Sequence, residues 1–394
     1  AAEFAMIVLG VILASLPVVI GAYAYGLYPV LLRLLARRGG SASASNSVAP
    51  VVTIVIPAYN EQRQIRGAIE AAIAQDYPAD LRQMLVLSDA SADGTDDIVR
   101  EYEARGVELM RMPGRAGKTA AENASIPRIR GDIVVNTDSS VRLHPCAVRM
   151  LVAGLADRTV GVASTRDVSV SGADSPNAAE AGYVDYEMGI RGLESRSGGI
   201  VGASGSGYAI RAHLHRVRVR EDLSRDFSSA LIAQRHGLRA VAVEEAICYV
   251  PRSLSLAREY KRKVRTISRG METLYFNRDL LNPAVHGAFA WKLLSHKLCR
   301  WLVPIAGIPA LVGIGLLALA MPQMAWLLGA GIFVLALAVL GALWPDHRPV
   351  PRWIPAGILG GLAANLAVIH STWRFFHGHE DHVWEPTRRA VVST

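Results

Sequence analysis

Three stretches of this chain carry no charged residue and are long enough to cross a bilayer, and the rest must be arranged around them. Met6 to Leu32 gives 27 residues without Lys, Arg, Asp or Glu, where about 20 suffice for a spanning helix. Pro17 and Pro29 are candidate kinks within it. Trp301 to Trp344 adds 44 uncharged residues, broken at Met321-Pro322-Gln323, and reads as two spans joined by a hairpin. Trp353 to Trp373 adds 21 more. The expectation is one spanning helix over residues 6–36 and three over 301–373. The first run is too long for a signal peptide and has no basic leader. Arg33, Arg37 and Arg38 follow it instead, which places the next domain on the cytoplasmic side of a cell (inner) membrane. Arg348 and Arg352 put the loop before the last span on that same side. Four spans leave both termini outside, and a re-entrant segment would flip the polar tail, 374–394. Residues 1–5, ahead of the first Met, read as a cloning remnant.

Between the apolar blocks the pattern changes. After a Gly/Ser-rich linker at 37–49, residues 50–251 alternate short β-rich runs with helical spacing. Val52–Pro57, Met84–Leu87, Val107–Met112 and Asp132–Val135 are the strand candidates. Short buried strands alternating with helices imply an α/β domain with a mostly parallel sheet. Such sheets bind ligands at the carboxyl ends of their strands, where Asn60-Glu61, Ser88-Asp89 and Asn136-Thr137-Asp138 fall. The three cysteines, Cys146, Cys248 and Cys299, are too dispersed for a zinc or disulfide framework.

Asp89 and Asp138 each follow an apolar strand directly. Carboxylates there suit a nucleotide-sugar site, one accepting hydrogen bonds from base or ribose and one holding a divalent ion against a diphosphate. Either alone is equally well read as a turn or cap residue, and it is the pair that favours function. Gly114-Arg115-Ala116-Gly117-Lys118 lacks Walker A spacing, but a lysine opening a helix still neutralises a diphosphate.

Seven motifs occur in order: VIPAYNE (55–61), SDASADGT (88–95), GRAGKTAAEN (114–123), NTDSS (136–140), GASGSGYAIR (202–211), RDF (225–227) and RKVR (262–265). Together they resemble the processive-type branch of family 2 glycosyltransferases, membrane enzymes with a GT-A catalytic domain related to cellulose, chitin and hyaluronan synthases. The fold the resemblance implies is a Rossmann-like α/β GT-A domain plus a transmembrane helical bundle with interfacial amphipathic helices. The donor residues it implies are Pro57, Tyr59, Glu61, Asp89, Lys118, Asp138, Arg262 and Arg265. Gly205, Ser206, Gly207 and Arg211 match the acceptor-side loop, and Asp226 matches the general base. Asp138, with Ser140, matches the metal motif, implying Mg2+ or Mn2+. Three departures stand out. Ser140 replaces the second metal-motif aspartate, and Arg225 replaces the glutamate before the base. Arg262 and Thr266 replace the Gln and Trp of QxxRW, and that Trp resembles an acceptor platform in polymerising members.

The chemistry implied is inverting transfer from a nucleotide sugar, with UDP favoured by the resemblance alone, to a lipid-linked saccharide or glycolipid acceptor. A processive synthase that secretes its polymer is the alternative. A non-catalytic nucleotide-sugar receptor is motivated by Ser140 and Arg225, and a transporter is disfavoured because His370 is the one ionisable residue within the expected spans. Glu221 and Asp222 lie close enough to Asp226 to rival it as base, although a solvated pair beside Arg220 and Arg225 accounts for them. His377, His379 and His382 near the tail read as polar tail rather than metal site.

The formal charge of +8 has one location. Residues 252–300 hold 11 Lys/Arg against 3 Asp/Glu, while 33–251 hold 26 of each. Apolar positions recur from Leu256 to Tyr275, and Phe289 to Arg300 mixes Trp291, Leu294 and Leu298 with Lys292, Lys297 and Arg300. Both stretches read as interfacial helices on anionic lipid, or as helices packed on the catalytic core. Nucleic acid is not expected, because a nearer polyanion adjoins this collar.

Overall fold

A computed structural model of the chain describes residues 1–36, 49–170, 178–251, 255–345 and 356–378. The linker Gly39–Ser47, Arg37, Arg38, Arg348, Arg352, His379 and His382 lie outside the described residues.

The globular part is built on one eight-stranded sheet. Its strands are β1 (Val52–Ala58), β2 (Arg82–Ser88), β3 (Val107–Arg111), β4 (Ile133–Thr137), β5 (Arg142–Leu143), β6 (Val160–Val170), β7 (Gly207–Arg211) and β8 (Arg239–Pro251). The spatial order is β3-β2-β1-β4-β7-β6-β8-β5. The first half is parallel, with Ile56 opposite Val86 and Ile54 opposite Val135. These strands are buried on both faces, which is why they read as unbroken apolar runs. The second half corrects the expectation of a mostly parallel sheet. β7 pairs antiparallel with both β4 and β6, β5 pairs antiparallel with β8, and β6 with β8 is parallel but bulged.

Three helices among the described residues are long and apolar enough to cross a membrane: Ala2–Leu35, Pro283–Ala320 and Pro322–Leu343. The first two pack at a glycine contact. A Cβ on Gly313 would lie 2.7 Å from the Gly10 carbonyl oxygen and 2.7 Å from the Ala14 nitrogen, the close backbone approach that small residues permit in membranes. Each of these two helices opens into a π-helical turn, at Ala22–Leu27 and Leu294–Cys299. There Tyr23 Oη and Ser295 Oγ meet at 2.7 Å, and Trp291 Nε1 donates to Tyr23 Oη at 3.0 Å.

The expected fourth span, seen as Ala356–Phe376, falls outside that trio. It carries Asn365, His370, Ser371, Thr372 and Arg374, and its polar groups are used in packing. His370 Nδ1 lies 2.9 Å from Tyr260 Oη, and Ser371 Oγ donates to the Val264 carbonyl at 3.0 Å. The basic helix Leu256–Phe276 thus turns part of its apolar face to this helix. The second basic stretch also departs from the interfacial reading, because it runs without a break into the helix Arg300–Ala320. Lys292 and Arg300 are buried there, since the catalytic domain supplies acceptors that lipid cannot.

Candidate active site

The loops after β1, β2 and β4 meet at the carboxyl edge of the sheet. Asn60 and Ala90, at φ +52° and +56°, turn the first two of them, in a region that non-glycine residues seldom enter. They are held by mutual bonds. Asn60 Oδ1 accepts from the Ala92 amide at 2.8 Å, and the Glu61 amide donates to Thr95 Oγ1 at 2.8 Å. Asp89 is buried, and its two oxygens accept the Ala116 and Gly117 amides, each at 2.8 Å. It therefore shapes the glycine loop that launches Lys118, and Gly117 at φ +96° supplies the left-handed turn. Tyr59 lies under the Arg115 guanidinium at 4.0 Å. Pro57 is a buried strand residue opposite Leu87, and Glu61 is buried within the field of Arg142.

Lys118 opens the helix Lys118–Ser125, and its Nζ lies 2.6 Å from Asp138 Oδ1. Burial works against the Lys118 ammonium, but the Asp138 and Glu122 carboxylates outweigh it and raise its pKa above the usual lysine value. Glu122, one helical turn on, is buried with neither oxygen hydrogen-bonded. Burial raises its pKa, against the pull of Lys118 and Arg225.

Asp226 stands in the first turn of the helix Arg225–Arg235, where the helix dipole favours a carboxylate. Ser224 Oγ donates to its Oδ1. Gly205 faces its other oxygen, and a Cβ there would lie 3.1 Å from Oδ2. Arg225 is structural. Its Nη1 donates to Asn123 Oδ1 at 2.7 Å and its Nη2 to the His215 carbonyl at 2.5 Å, tying the Asp226 helix to the Lys118 helix. Asp222 is clamped by Arg220 Nε at 2.6 Å as the expected ion pair, but it is buried rather than solvated.

A cavity of about 690 Å³ joins these groups. Of the residues singled out in the sequence, Lys118, Asp138, Ser140, Gly205, Ser206, Asp226, Arg262, Arg265 and Thr266 line it. Arg262 reaches it from the basic helix, with its Nε 3.1 Å from both Glu259 oxygens. Pro57, Tyr59, Glu61, Asp89, Gly207 and Arg211 are not among the lining residues. Arg211 is a correction with a clear cause. Antiparallel β7 carries it to the opposite end of the sheet from Gly205. There it donates to the Val160 and Leu155 carbonyls at 2.8 Å and to the Asp157 carbonyl at 3.0 Å. Gly207 packs on Thr165, whose Cγ2 is 2.9 Å from where a Cβ would sit.

Glu122 and Arg269 are among the lining residues that the sequence reading did not place in the site. Glu122 is four residues after Lys118 and therefore on the same helix face. Arg269 is seven after Arg262, and its Nη2 donates to Thr119 Oγ1 at 3.1 Å and to the Leu223 carbonyl at 2.8 Å.

Residues 53–214 match the family described as Glycosyl transferase family 2. The similarity to family 2 glycosyltransferases thus covers the first seven strands' share of the sheet domain, residues 53–214. Over 112 residues the chain is 34% identical to a probable glycosyltransferase, YdaM, of Bacillus subtilis, covering 27% of this chain and 26% of that one. An N-acetylglucosaminyltransferase of Rhizobium meliloti is 34% identical over 116 residues, 28% of this chain and 27% of that protein. The succinoglycan biosynthesis protein ExoO of the same organism is 32% identical over 125 residues, covering 31% and 35%. The chain thus spans about a quarter to a third of the length of these relatives. Among solved structures, a mannosyltransferase from Pyrobaculum calidifontis in complex with GDP-Man and Mn2+ has a TM-score of 0.69 at 22% identity. That alignment covers 93% of this chain and all of that one. Such a likeness establishes the GT-A fold with its accompanying helices.

A divalent ion is implied by the fold family, and the donor set can be tested against it. No group of three His, Cys, Asp or Glu side chains close enough to hold a metal occurs among the described residues. Asp138 has one oxygen on Lys118, and its neighbour Ser140 is a buried hydroxyl. One carboxylate and one hydroxyl fit an ion of the Mg2+ type, which takes one or two carboxylates and completes its shell with substrate phosphates and water.

Proposed function

We propose that this chain is an inverting glycosyltransferase that moves one sugar from a nucleotide-sugar donor, UDP-linked in the first instance, to a membrane-borne acceptor at the cytoplasmic face. Supporting this reading above all is the cavity, which carries the Lys118–Asp138 pair and Asp226 and is also walled by Trp301 and by Gly357, Gly360 and Gly361 of the helix Ala356–Phe376. One space is therefore shared by a diphosphate-type site, a carboxylate base and helices of the apolar bundle.

Asp226 accepts the proton of the acceptor hydroxyl, and that oxygen forms a bond to the anomeric carbon from the side opposite the donor diphosphate. The bond from carbon to diphosphate oxygen breaks, and its electron pair leaves with the nucleoside diphosphate. Lys118, kept charged by its carboxylate neighbours, is placed to stabilise that developing charge, with Arg262 and Arg265 entering from the basic helix. A divalent ion, when bound at Asp138 and Ser140, would supply further charge stabilisation to the leaving group. The proton ends on Asp226 and is lost to water.

Thr266 lines the cavity where polymerising relatives are expected to present tryptophan, which favours single addition over processive synthesis. The deciding experiment is mass spectrometry of products from purified protein given lipid extract and a panel of nucleotide sugars. One added hexose mass on a lipid species supports the reading. Polymer ladders formed without lipid acceptor would replace it with a synthase, and absence of any sugar transfer or donor hydrolysis would leave a receptor.

A further inference from the structure

The cavity holds two separate clusters of positive charge, and the donor accounts for one of them. The first surrounds Lys118. The second lies beyond Asp226, where the apolar bundle meets the helix Ala178–Arg196. Lys297 is its half-buried, cavity-lining member. Its Nζ sits 5.2 Å from the centre of the Phe227 ring, one residue from the base, and its Cε is 3.8 Å from the position a Cβ on Gly202 would take. No carboxylate lies within ion-pair distance of that ammonium among the described residues, although it lines the cavity.

Behind Lys297, two guanidinium groups share one carboxylate. Arg191 Nε is 3.2 Å and Arg300 Nη1 is 2.6 Å from Glu187, which also faces His296 Nε2 at 2.8 Å. Glu187 therefore serves three cationic or donor groups at once. Arg191 Nη1, and Arg300 Nε and Nη2, are buried with no hydrogen-bond partner. Buried cationic donors without acceptors are costly, and this structure leaves three guanidinium nitrogens in that state beside the half-buried Lys297 ammonium.

Within the proposed transfer reaction, on which this step rests, the donor diphosphate is met at Lys118. A second anion is needed to satisfy the cluster at Lys297. The geometry points to an acceptor that itself carries a phosphate ester, seated with its phosphate on Lys297 and Arg191 and its hydroxyl-bearing sugar toward Asp226. Cation–π contact with Phe227 holds the ammonium beside the acceptor loop, and Gly202, which has no Cβ, leaves room for its stem. The glycines of Ala356–Phe376 in the same wall leave width for a chain leading from that phosphate into the bundle. A phosphate ester on a lipid and a soluble one offer the same oxygens, so the chemistry assigned is the phosphate.

The test uses the full chain in nanodiscs, with a C55 polyprenyl phosphate, the matching neutral polyprenol and inorganic phosphate as probes. Binding is measured for wild type, Lys297→Met and Lys297→Arg, and UDP and GDP are titrated against all three. We expect polyprenyl phosphate to bind well above polyprenol, Lys297→Met to weaken it at least about tenfold, and Lys297→Arg to retain it. Nucleotide affinity should not change. Inorganic phosphate bound as tightly as the lipid, with the same dependence on Lys297, would support the subsite and assign it to a soluble ester. Equal affinity of wild type and Lys297→Met for every phosphate probe, with nucleotide still bound, would overturn the subsite alone. No nucleotide binding in wild type would instead refute the transferase reading.

Discussion

Gly205→Ala probes the base through its neighbour while leaving Asp226 in place. A methyl at Gly205 would sit 3.1 Å from Asp226 Oδ2 and 3.6 Å from its Cγ, so the carboxylate must shift by a few tenths of an ångström. It cannot swing freely, since Ser224 Oγ holds the other oxygen and the first turn of the helix fixes its backbone. Gly205 is not in the left-handed region, so alanine adds no backbone strain there. A misplacement of about 1 Å costs about a hundredfold in a positioned reaction. A few tenths therefore predicts a fall in kcat of about three- to tenfold, or roughly 1 kcal/mol of barrier. Donor KM and melting temperature should stay put. Gly182→Ala is the matched control, because a Cβ there meets nothing within 4 Å. The assay is nucleoside diphosphate release at saturating donor in a lipid extract that supports turnover. Wild-type kcat in a folded Gly205→Ala protein would mean that Oδ2 is not where the acceptor proton goes. A change confined to donor KM would move the loop to the donor side.

Three other changes test separate parts of the site. Asp226→Asn should lower transfer by about 10²- to 10⁴-fold while nucleotide titrations remain as in wild type, and near-normal turnover would relocate the base. Glu122→Gln should stabilise the protein near neutral pH. The Glu122 carboxyl binds its proton more tightly folded than unfolded, so its contribution is full below the unfolded value and is lost as pH rises through the raised folded one. A buried unsatisfied group costs about 1–3 kcal/mol, so melting curves of wild type and variant should converge near pH ~4 and separate as pH rises from there; a constant gap would contradict this. Glu187→Gln should cost about 3–5 kcal/mol by stripping Arg300, Arg191 and His296 of their shared charge, read as a fall in melting temperature in detergent, and an unchanged value would show that water reaches that cluster.

How much could be read in advance follows from the distance over which each feature is determined. The placement of Asp89 and Asp138 was legible because a parallel strand ending in a polar residue delivers it to one edge whatever the rest of the chain does, and that of Lys118 because it opens a helix after a glycine turn. Asp226 was singled out by its motif alone, and the structure places it in the cavity beside Ser224 and Gly205, while its role as base belongs to the proposed function. Arg211 was misread because nothing local in GSGYAIR reveals strand direction, and antiparallel pairing sends its last residue to the far end. Glu122 and Arg269 were missed although same-face spacing from Lys118 and Arg262 was available. The inward orientation of Arg300 was out of reach, because its partner Glu187 lies 113 residues earlier on a helix whose acids look surface-bound in sequence, and Lys292 and Lys297 likewise meet the distant Gly199 carbonyl and Phe227 ring.

That last group changes what the basic collar means. Charges lying on a lipid surface would tether the catalytic domain loosely, and a domain held by one span and a linker would be free to tilt. Here Glu194 accepts from Tyr28 of the first apolar helix and lies 2.7 Å from His296 Nδ1, while Glu187 holds Arg300 at 2.6 Å. Lys292 Nζ donates to the Gly199 carbonyl at 2.6 Å, close to the glycine-rich segment that begins at Gly202. Buried ionic contacts of this kind add little net stability but are expensive to break singly, so they fix one arrangement against its neighbours. The arrangement they fix is the height of Asp226 relative to the bundle. A soluble acceptor could approach a tilting base from many directions. An acceptor anchored in a membrane presents its hydroxyl at one depth, and a transferase for it needs its base held at the matching depth. In the proposed reaction the inward-facing charges of residues 292–300 would provide that constraint, a reason for them to sit where burial makes them costly.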